Sequence, residues 1–68
     1  MKEFGRNFKD LRIADKKSQL DMAKIFNVTQ ATISGWETGR KIPEVPMLIT
    51  VAKYFGVSVD YLLDLDLK

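Results

Sequence analysis

The stretch QLDMAKIFNVTQATISGW, residues 19–36, predicts two short helices joined by a sharp turn. Ser18 is a suitable N-cap for the first helix, and Asp21 follows three residues later in a variant of the capping box. Asn27 stands where the chain must leave that helix, and asparagine tolerates the left-handed conformation that such an exit requires. Thr29 is a suitable N-cap for the helix that follows. The remainder of the chain is interpreted as support for these two helices.

The second helix of this pair, over about residues 30–38, carries small side chains on the side that faces away from the core. Ile33 and Trp36 are three residues apart and are expected to point inward together. The residues left outside are Gln30, Ala31, Thr32, Ser34 and Gly35. Such a surface suits the base-pair edges of the DNA major groove, where glutamine pairs with adenine and small apolar groups meet thymine methyls. The same pattern is typical of a solvated helix face, and periodicity alone does not separate the two interpretations.

The wider pattern around this stretch resembles the helix-turn-helix proteins of the Cro and phage-repressor type, also called the xenobiotic-response-element family. The matching features in the motif are Ser18-Gln19, Ala23, Val28-Thr29, Ile33-Ser34 and Trp36-Glu37-x-Gly39. The pattern continues through Pro43, residues 48–52 and Phe55-Gly56-Val57-Ser58-Val59-Asp60-Tyr61-Leu62-Leu63, so that the resemblance spans residues 4–63. It implies an all-α, compact five-helix lambda-repressor-like domain, a single domain over residues 1–68, in which helices 2 and 3 form the motif at about residues 19–38.

The resemblance also implies a function and a set of contacts with double-stranded DNA. Residues expected to face base edges are Gln30, Ala31, Thr32, Ser34 and Gly35. Gln19, Arg40 and Lys41 are expected to hold backbone phosphates, which fix register without reading sequence. Many relatives carry a long polar or basic side chain where this chain has Gly35. The glycine therefore leaves open how much specificity comes from direct hydrogen bonds and how much from DNA shape.

The first predicted helix, over about residues 2–15, has an apolar stripe formed by Phe4, Phe8 and Leu11. Gly5 is expected to weaken this helix slightly. Arg12 lies beside the stripe, and an arginine in that place is often simply solvated. In the family, however, the matching position often pairs with the acid at Glu37. We therefore expect Arg12 and Glu37 to form a structural ion pair and not to contact DNA.

The connection Asp15-Lys16-Lys17 departs from the family pattern, which usually has a glycine and then an apolar residue here. The departure adds two positive charges near the motif. Lys17 is counted among the candidate phosphate contacts, and surface solubility explains both lysines equally well.

The composition excludes several functional classes. The 68 residues include no cysteine and no histidine, so thiolate or histidine metal sites and the common nucleophile and base pairings cannot be assembled. We expect neither an enzyme nor a cofactor. No apolar run approaches the roughly 20 residues of a membrane span, and the first residues lack a secretion signal, so a cytoplasmic protein is expected. Residues 1–41 hold nine Lys or Arg and five Asp or Glu, a net charge of +4, whereas residues 42–68 are at −2.

The second half of the chain predicts two further helices. Pro46 is expected near the start of the fourth helix and Gly56 at its end, and Ser58 is expected to cap a fifth helix that continues to about residue 64. Tyr61, Leu65 and the loop near Val45 form the expected self-association surface, although Leu65 is equally suited to complete the core.

These observations predict a small dimeric repressor that binds a pseudo-palindromic operator. The alternative from another class is a protein-interaction module of the same fold, such as an antitoxin or anti-repressor, which would act through a partner protein. The weak net charge and Gly35 favour the alternative, and the basic residues clustered around the motif favour DNA.

Overall fold

The computed structural model describes residues 2–64, and within this range the chain forms five α-helices and no strand. The helices are α1 (Lys2–Ala14), α2 (Gln19–Phe26), α3 (Gln30–Thr38), α4 (Val45–Phe55) and α5 (Val59–Leu63). This architecture confirms the predicted all-α, five-helix class. None of these helices is long and apolar enough to cross a membrane.

The ends of α2 and α3 follow the predicted capping residues. The Asp21 amide donates to Ser18 Oγ at 2.9 Å and the Ser18 amide donates to Asp21 Oδ2 at 2.8 Å, which completes a reciprocal capping box. The hydrogen bonds from Ser18 lower the pKa of the Asp21 carboxyl. Asn27 ends α2 in the left-handed conformation, with φ of 58°. The Thr29 hydroxyl accepts from the Thr32 amide at 3.1 Å and so caps α3.

The later helices also begin and end as predicted. Gly39 and Gly56 follow α3 and α4 with φ of 83° and 69°, a conformation that glycine adopts without steric cost. Pro46 lies at the start of α4. The Ser58 hydroxyl accepts from the Tyr61 amide at 2.9 Å and caps α5. Asp64 adopts the left-handed conformation directly after α5.

The core is built from residues of all five helices, and Trp36 of α3 lies within its aromatic part. Its ring contacts Phe4 and Phe8 of α1 edge-on, with centroids 6.0 and 5.5 Å apart, and Phe26 of α2 at 6.4 Å. The largest fully buried side chains are Phe4, Phe8, Met22, Ile33, Val51 and Leu62. The aromatic contacts therefore fix α3 against both preceding helices.

Gly5 brings α1 and α3 into close contact. A Cβ atom added at Gly5 would lie 2.5 Å from the carbonyl oxygen of Trp36 and 2.7 Å from that of Glu37. The sequence predicted only a weakened helix here. The structure shows in addition that the absent side chain is what lets the two helix backbones approach, because no larger residue fits between them.

The turn between α1 and α2 places Lys16 in the left-handed conformation, with φ of 59°. A residue with a Cβ atom is strained in this conformation, which agrees with the glycine that the resemblance leads us to expect in this connection. The turn is also tied to α4, because the Tyr54 hydroxyl donates to Asp15 Oδ2 at 2.7 Å. This hydrogen bond raises the pKa of Tyr54.

A contact that the sequence did not predict ties α1 to α5. The Asn7 side-chain amide donates to the carbonyl oxygens of Tyr61 and Leu62, at 3.0 and 3.2 Å. These carbonyls lie in the last turn of α5, where the usual partners within a helix run out, and the Tyr61 carbonyl also accepts from the Asp64 amide at 3.2 Å. The single amide therefore stabilises the end of α5 and holds it beside α1.

Candidate nucleic-acid interface

The outward face of α3 presents the short polar side chains that the sequence placed there. Gln30 and Ala31 are exposed, and Thr32 and Ser34 are half-buried. The hydroxyl of Thr32 is 2.9 Å from the hydroxyl of the N-cap Thr29, so it already has one hydrogen-bond partner. Gln30 is thus the longest freely exposed side chain among the five predicted base contacts.

Gly35 corrects one expectation about this face. It was expected to be open to solvent, but it is buried. Its position on the helix is nevertheless as predicted, because it follows Ala31 by four residues and so lies on the same side, opposite Ile33 and Trp36. Gly35 is buried because another side chain covers it.

That side chain is Lys41, in the loop after α3. A Cβ atom added at Gly35 would lie 3.1 Å from Cδ, 3.2 Å from Cγ and 3.4 Å from Cβ of Lys41. The Lys41 amide also donates to the Gly35 carbonyl at 3.1 Å. The aliphatic stem of the lysine therefore lies across the outward face of α3, a contact that the sequence did not predict.

Arg40 is held beside the end of α3 through Thr38. Its Nε donates to Thr38 Oγ1 at 3.3 Å, and the same hydroxyl donates to the carbonyl oxygen of Ser34 at 3.0 Å. Arg40 remains exposed. Two consecutive basic residues thus flank the end of the outward face. Arg40 donates a hydrogen bond to Thr38, and the stem of Lys41 lies against Gly35.

The predicted ion pair between Arg12 and Glu37 is present and joins three helices. Arg12 Nε and Nη2 donate to Glu37 Oε2 at 2.6 Å and Oε1 at 3.1 Å, a two-point contact between planar groups. The side chains are only 13% and 4% exposed. Gln19, the first residue of α2, donates its amide to Glu37 Oε1 at 3.1 Å. Glu37 therefore fixes α3 to both α1 and α2.

The structure qualifies two of the predicted phosphate contacts. The side-chain amide of Gln19 is half-buried and bonded to Glu37, so it is occupied within the protein. The ammonium of Lys17 lies 3.5 Å from Asp15 Oδ2, in a pair that is 38% and 37% exposed. An exposed pair of this kind is weak, and the ammonium can leave it at little cost.

Within residues 2–64 no group of three or more histidine, cysteine, aspartate or glutamate side chains is arranged to hold a metal ion. The polar groups at the outward face of α3 are instead the hydroxyls of Thr32 and Ser34, the side-chain amide of Gln30 and the basic side chains of Arg40 and Lys41. Such groups serve as hydrogen-bond donors and acceptors toward another surface.

Comparison with known proteins gives consistent matches. The sequence model of the helix-turn-helix family matches residues 8–62. The chain is 33% identical over 61 residues to the HTH-type transcriptional activator BcrR of Enterococcus faecalis, covering 90% of this chain and 30% of BcrR. It is 33% identical over 60 residues to YqaE and 30% identical over 62 residues to YobD, both uncharacterized HTH-type transcriptional regulators of Bacillus subtilis.

The matches with YqaE and YobD cover 88% and 91% of this chain and 52% and 55% of those proteins. The chain thus spans about a third to just over half the length of these three curated relatives. No solved structure matches the chain.

Proposed function

The chain belongs to the helix-turn-helix family of DNA-binding transcription regulators, of the Cro type, and on that premise we propose that it is a dimeric repressor of a pseudo-palindromic operator. Residues 1–68 act in this proposal as one DNA-binding domain. Two copies of α3 enter successive major grooves about 34 Å apart, so that the symmetry of the operator copies that of the protein. The observation that carries the proposal is the outward face of α3, which is polar, uncharged and held rigidly by Glu37 and Trp36.

The proposed base contacts follow from the chemistry of each side chain on that face. Gln30 is exposed and can pair bidentately with adenine, and the Ala31 methyl can meet a thymine methyl. The half-buried hydroxyls of Thr32 and Ser34 accept or donate at closer range. Gly35 offers no side chain, and its proposed contribution is to the shape of the surface.

The proposed phosphate contacts are Arg40, Lys17 and Gln19. Arg40 is exposed at the end of α3, where Thr38 orients it. Lys17 must exchange Asp15 for a phosphate, and the exposure of that pair makes the exchange easy. Gln19 opens α2, where the first-turn amides that precede Asp21 have no partners within the helix and attract an anion, while the Asp21 amide is capped by Ser18.

Dimerisation is proposed through the start of α4 and through α5. Val45 is 66% exposed and Ile49, one turn later on the same face, is 43% exposed. Tyr61 of α5 is 44% exposed. Leu65, which was also assigned to this surface, lies outside the described residues. Apolar side chains exposed in this way are typical of surfaces that pair with another chain.

Repression is the proposed outcome because a bound dimer of this size can block a promoter by occupancy alone. The relative BcrR is by name an activator. A reporter gene placed behind the selected operator distinguishes the two outcomes. Expression that falls when the protein is supplied supports repression, and expression that rises contradicts it.

The experiment that tests the whole proposal is selection of bound sequences from a random duplex pool, repeated at two salt concentrations. The expected result is an enriched inverted repeat whose half-sites are about 10 base pairs apart, centre to centre. Sedimentation of the complex should give two chains per duplex. Enrichment of a single half-site with one chain bound would contradict the dimer. Binding that never exceeds the non-specific level would contradict operator recognition and favour a module that binds a protein partner.

A further inference from the structure

We infer that Lys41 reads a base-pair edge, because Gly35 lets its side chain cross α3 and supply the long basic group that the helix itself lacks. This inference rests on the proposed function and deepens it. It replaces the expectation, drawn from the sequence, that Lys41 holds a phosphate.

The first observation is where the stem of Lys41 lies. Gly35 shares the outward face of α3 with Ala31, and the space that a side chain at Gly35 would fill is taken by Cβ, Cγ and Cδ of Lys41, all within 3.4 Å of the added Cβ position. The loop is also fixed at this point, because the Lys41 amide donates to the Gly35 carbonyl. The Lys41 side chain therefore lies on the outward face of α3, which is the face proposed to meet the groove, and not beside it.

The second observation is that glycine stands in the middle of a helix. Glycine is among the poorest helix formers, so its presence in α3 needs a physical reason. At Gly5 that reason is contact with backbone atoms, but at Gly35 the three atoms nearest to the added Cβ all belong to the side chain of Lys41. The place of Gly35 in α3 is thus explained by the lysine that lies over it.

The third observation concerns the charge. In the described part of the chain, the Lys41 ammonium makes no hydrogen bond or ion pair, whereas Arg40 donates to Thr38 and Lys17 contacts Asp15. An unpaired ammonium at the end of a positioned stem offers three donors. In the major groove, lysine pairs with the O6 and N7 acceptors of guanine. We therefore expect a guanine in each half-site, next to the base pair that Ala31 meets.

The test compares binding to the duplex selected from the random pool with binding to a scrambled duplex of equal length. Five variants of the full chain are used: Lys41→Ala, Lys41→Met, Gly35→Ala, the double variant Gly35→Ala/Lys41→Ala and, as the control, Arg40→Ala. Lys41→Met keeps an unbranched stem over Gly35 and removes only the charge. Gly35→Ala keeps the charge and disturbs the stem, and it is made both alone and together with Lys41→Ala. Thermal unfolding verifies that each variant is folded.

The expected result is a loss of about tenfold to a hundredfold on the selected duplex for Lys41→Ala and Lys41→Met, with a much smaller loss on the scrambled one. Preference for one guanine in each half-site should relax. Arg40→Ala should weaken binding to both duplexes equally. Gly35→Ala should also weaken specific binding, and this effect should disappear in the Lys41→Ala background, because the two residues act as one unit.

Three outcomes overturn the inference, and they are distinguishable from one another. Equal losses on both duplexes for Lys41→Ala would mean that Lys41 contacts a backbone phosphate and not a base, while the proposed function would stand. Additive effects of Gly35→Ala and Lys41→Ala would mean that Gly35 does not position the lysine. If the wild-type chain enriches no duplex at all, the proposed function fails, and the inference fails with it.

Discussion

Gly5 of α1 packs directly on the backbone of Trp36 in α3, so closely that a Cβ atom would stand 2.5 Å from the Trp36 carbonyl oxygen. We predict that Gly5→Ala destabilises the protein, although alanine is the better helix former. The added Cβ meets backbone atoms of α3, which cannot move aside as a flexible side chain can. This clash should outweigh the gain in propensity, for a net loss of about 1–3 kcal/mol. Denaturant unfolding followed by circular dichroism measures it.

Gly35→Ala is the matched control for this prediction, because Gly35 also lies inside a helix. The atoms nearest to its added Cβ belong to the flexible side chain of Lys41 and not to the backbone of another helix. The free energy of unfolding should therefore stay the same or rise by up to about 1 kcal/mol. A stabilising effect of Gly5→Ala would show that α1 and α3 can separate without loss.

The Arg12 and Glu37 pair predicts a second stability effect. Glu37→Gln should lower the free energy of unfolding by about 3–5 kcal/mol, because it leaves the guanidinium of Arg12 largely buried without its counter-charge. The double variant Arg12→Met/Glu37→Met should recover more than half of that loss, since no unpaired charge remains. A double-mutant cycle built from Arg12→Met, Glu37→Met and this double variant measures the coupling in the unfolding free energies.

The exposed pair of Asp15 and Lys17 provides the comparison. Lys17→Ala should change the unfolding free energy by less than about 1 kcal/mol. If Glu37→Gln has an equally small effect, the three-helix junction at Glu37 does not hold α3 in place.

Lys16 is a position where we predict that a substitution stabilises the protein. Its left-handed φ of 59° strains any residue that has a Cβ atom. Lys16→Gly should therefore raise the unfolding free energy by about 0.5–1 kcal/mol, after allowing for the greater freedom of glycine in the unfolded chain. Lys16→Ala removes the same charge without relieving the strain and should not stabilise. An equal gain from both variants would assign the effect to charge.

Gln30 gives the prediction that bears on base recognition within α3. Gln30→Ala should weaken binding to the selected operator by about 1–3 kcal/mol and relax preference at one base pair. Its unfolding free energy should be nearly unchanged, because the side chain is exposed. Titration of operator variants that differ at single positions measures the change. Equal weakening on specific and random DNA would remove Gln30 from the proposed base contacts.

The sequence predicted the helices well because their ends are determined by local chemistry. Ser18, Thr29 and Ser58 each cap a helix through their own hydroxyl, and Asn27 and Gly56 each end one in the left-handed conformation. These effects act over three or four residues and can therefore be predicted from the sequence alone.

Contacts between distant surfaces were harder to predict. The Asn7 amide reaches the end of α5 across more than 50 residues, and nothing in its local sequence signals that role. The close approach at Gly5 likewise depends on how α1 crosses α3. The covering of Gly35 by Lys41 was missed for a related reason, since periodicity assigns a residue to a face but does not show what folds back over it.

Trp36 is the single tryptophan of the chain, and it lies on α3 with its ring among Phe4, Phe8 and Phe26. The intrinsic fluorescence of the protein at tryptophan wavelengths therefore originates in one helix, the one proposed to enter the groove. A change in emission reports whether that helix is seated on the other two. The protein thus carries its own optical probe, without any label, at the element whose position matters most for the proposed contacts with base pairs.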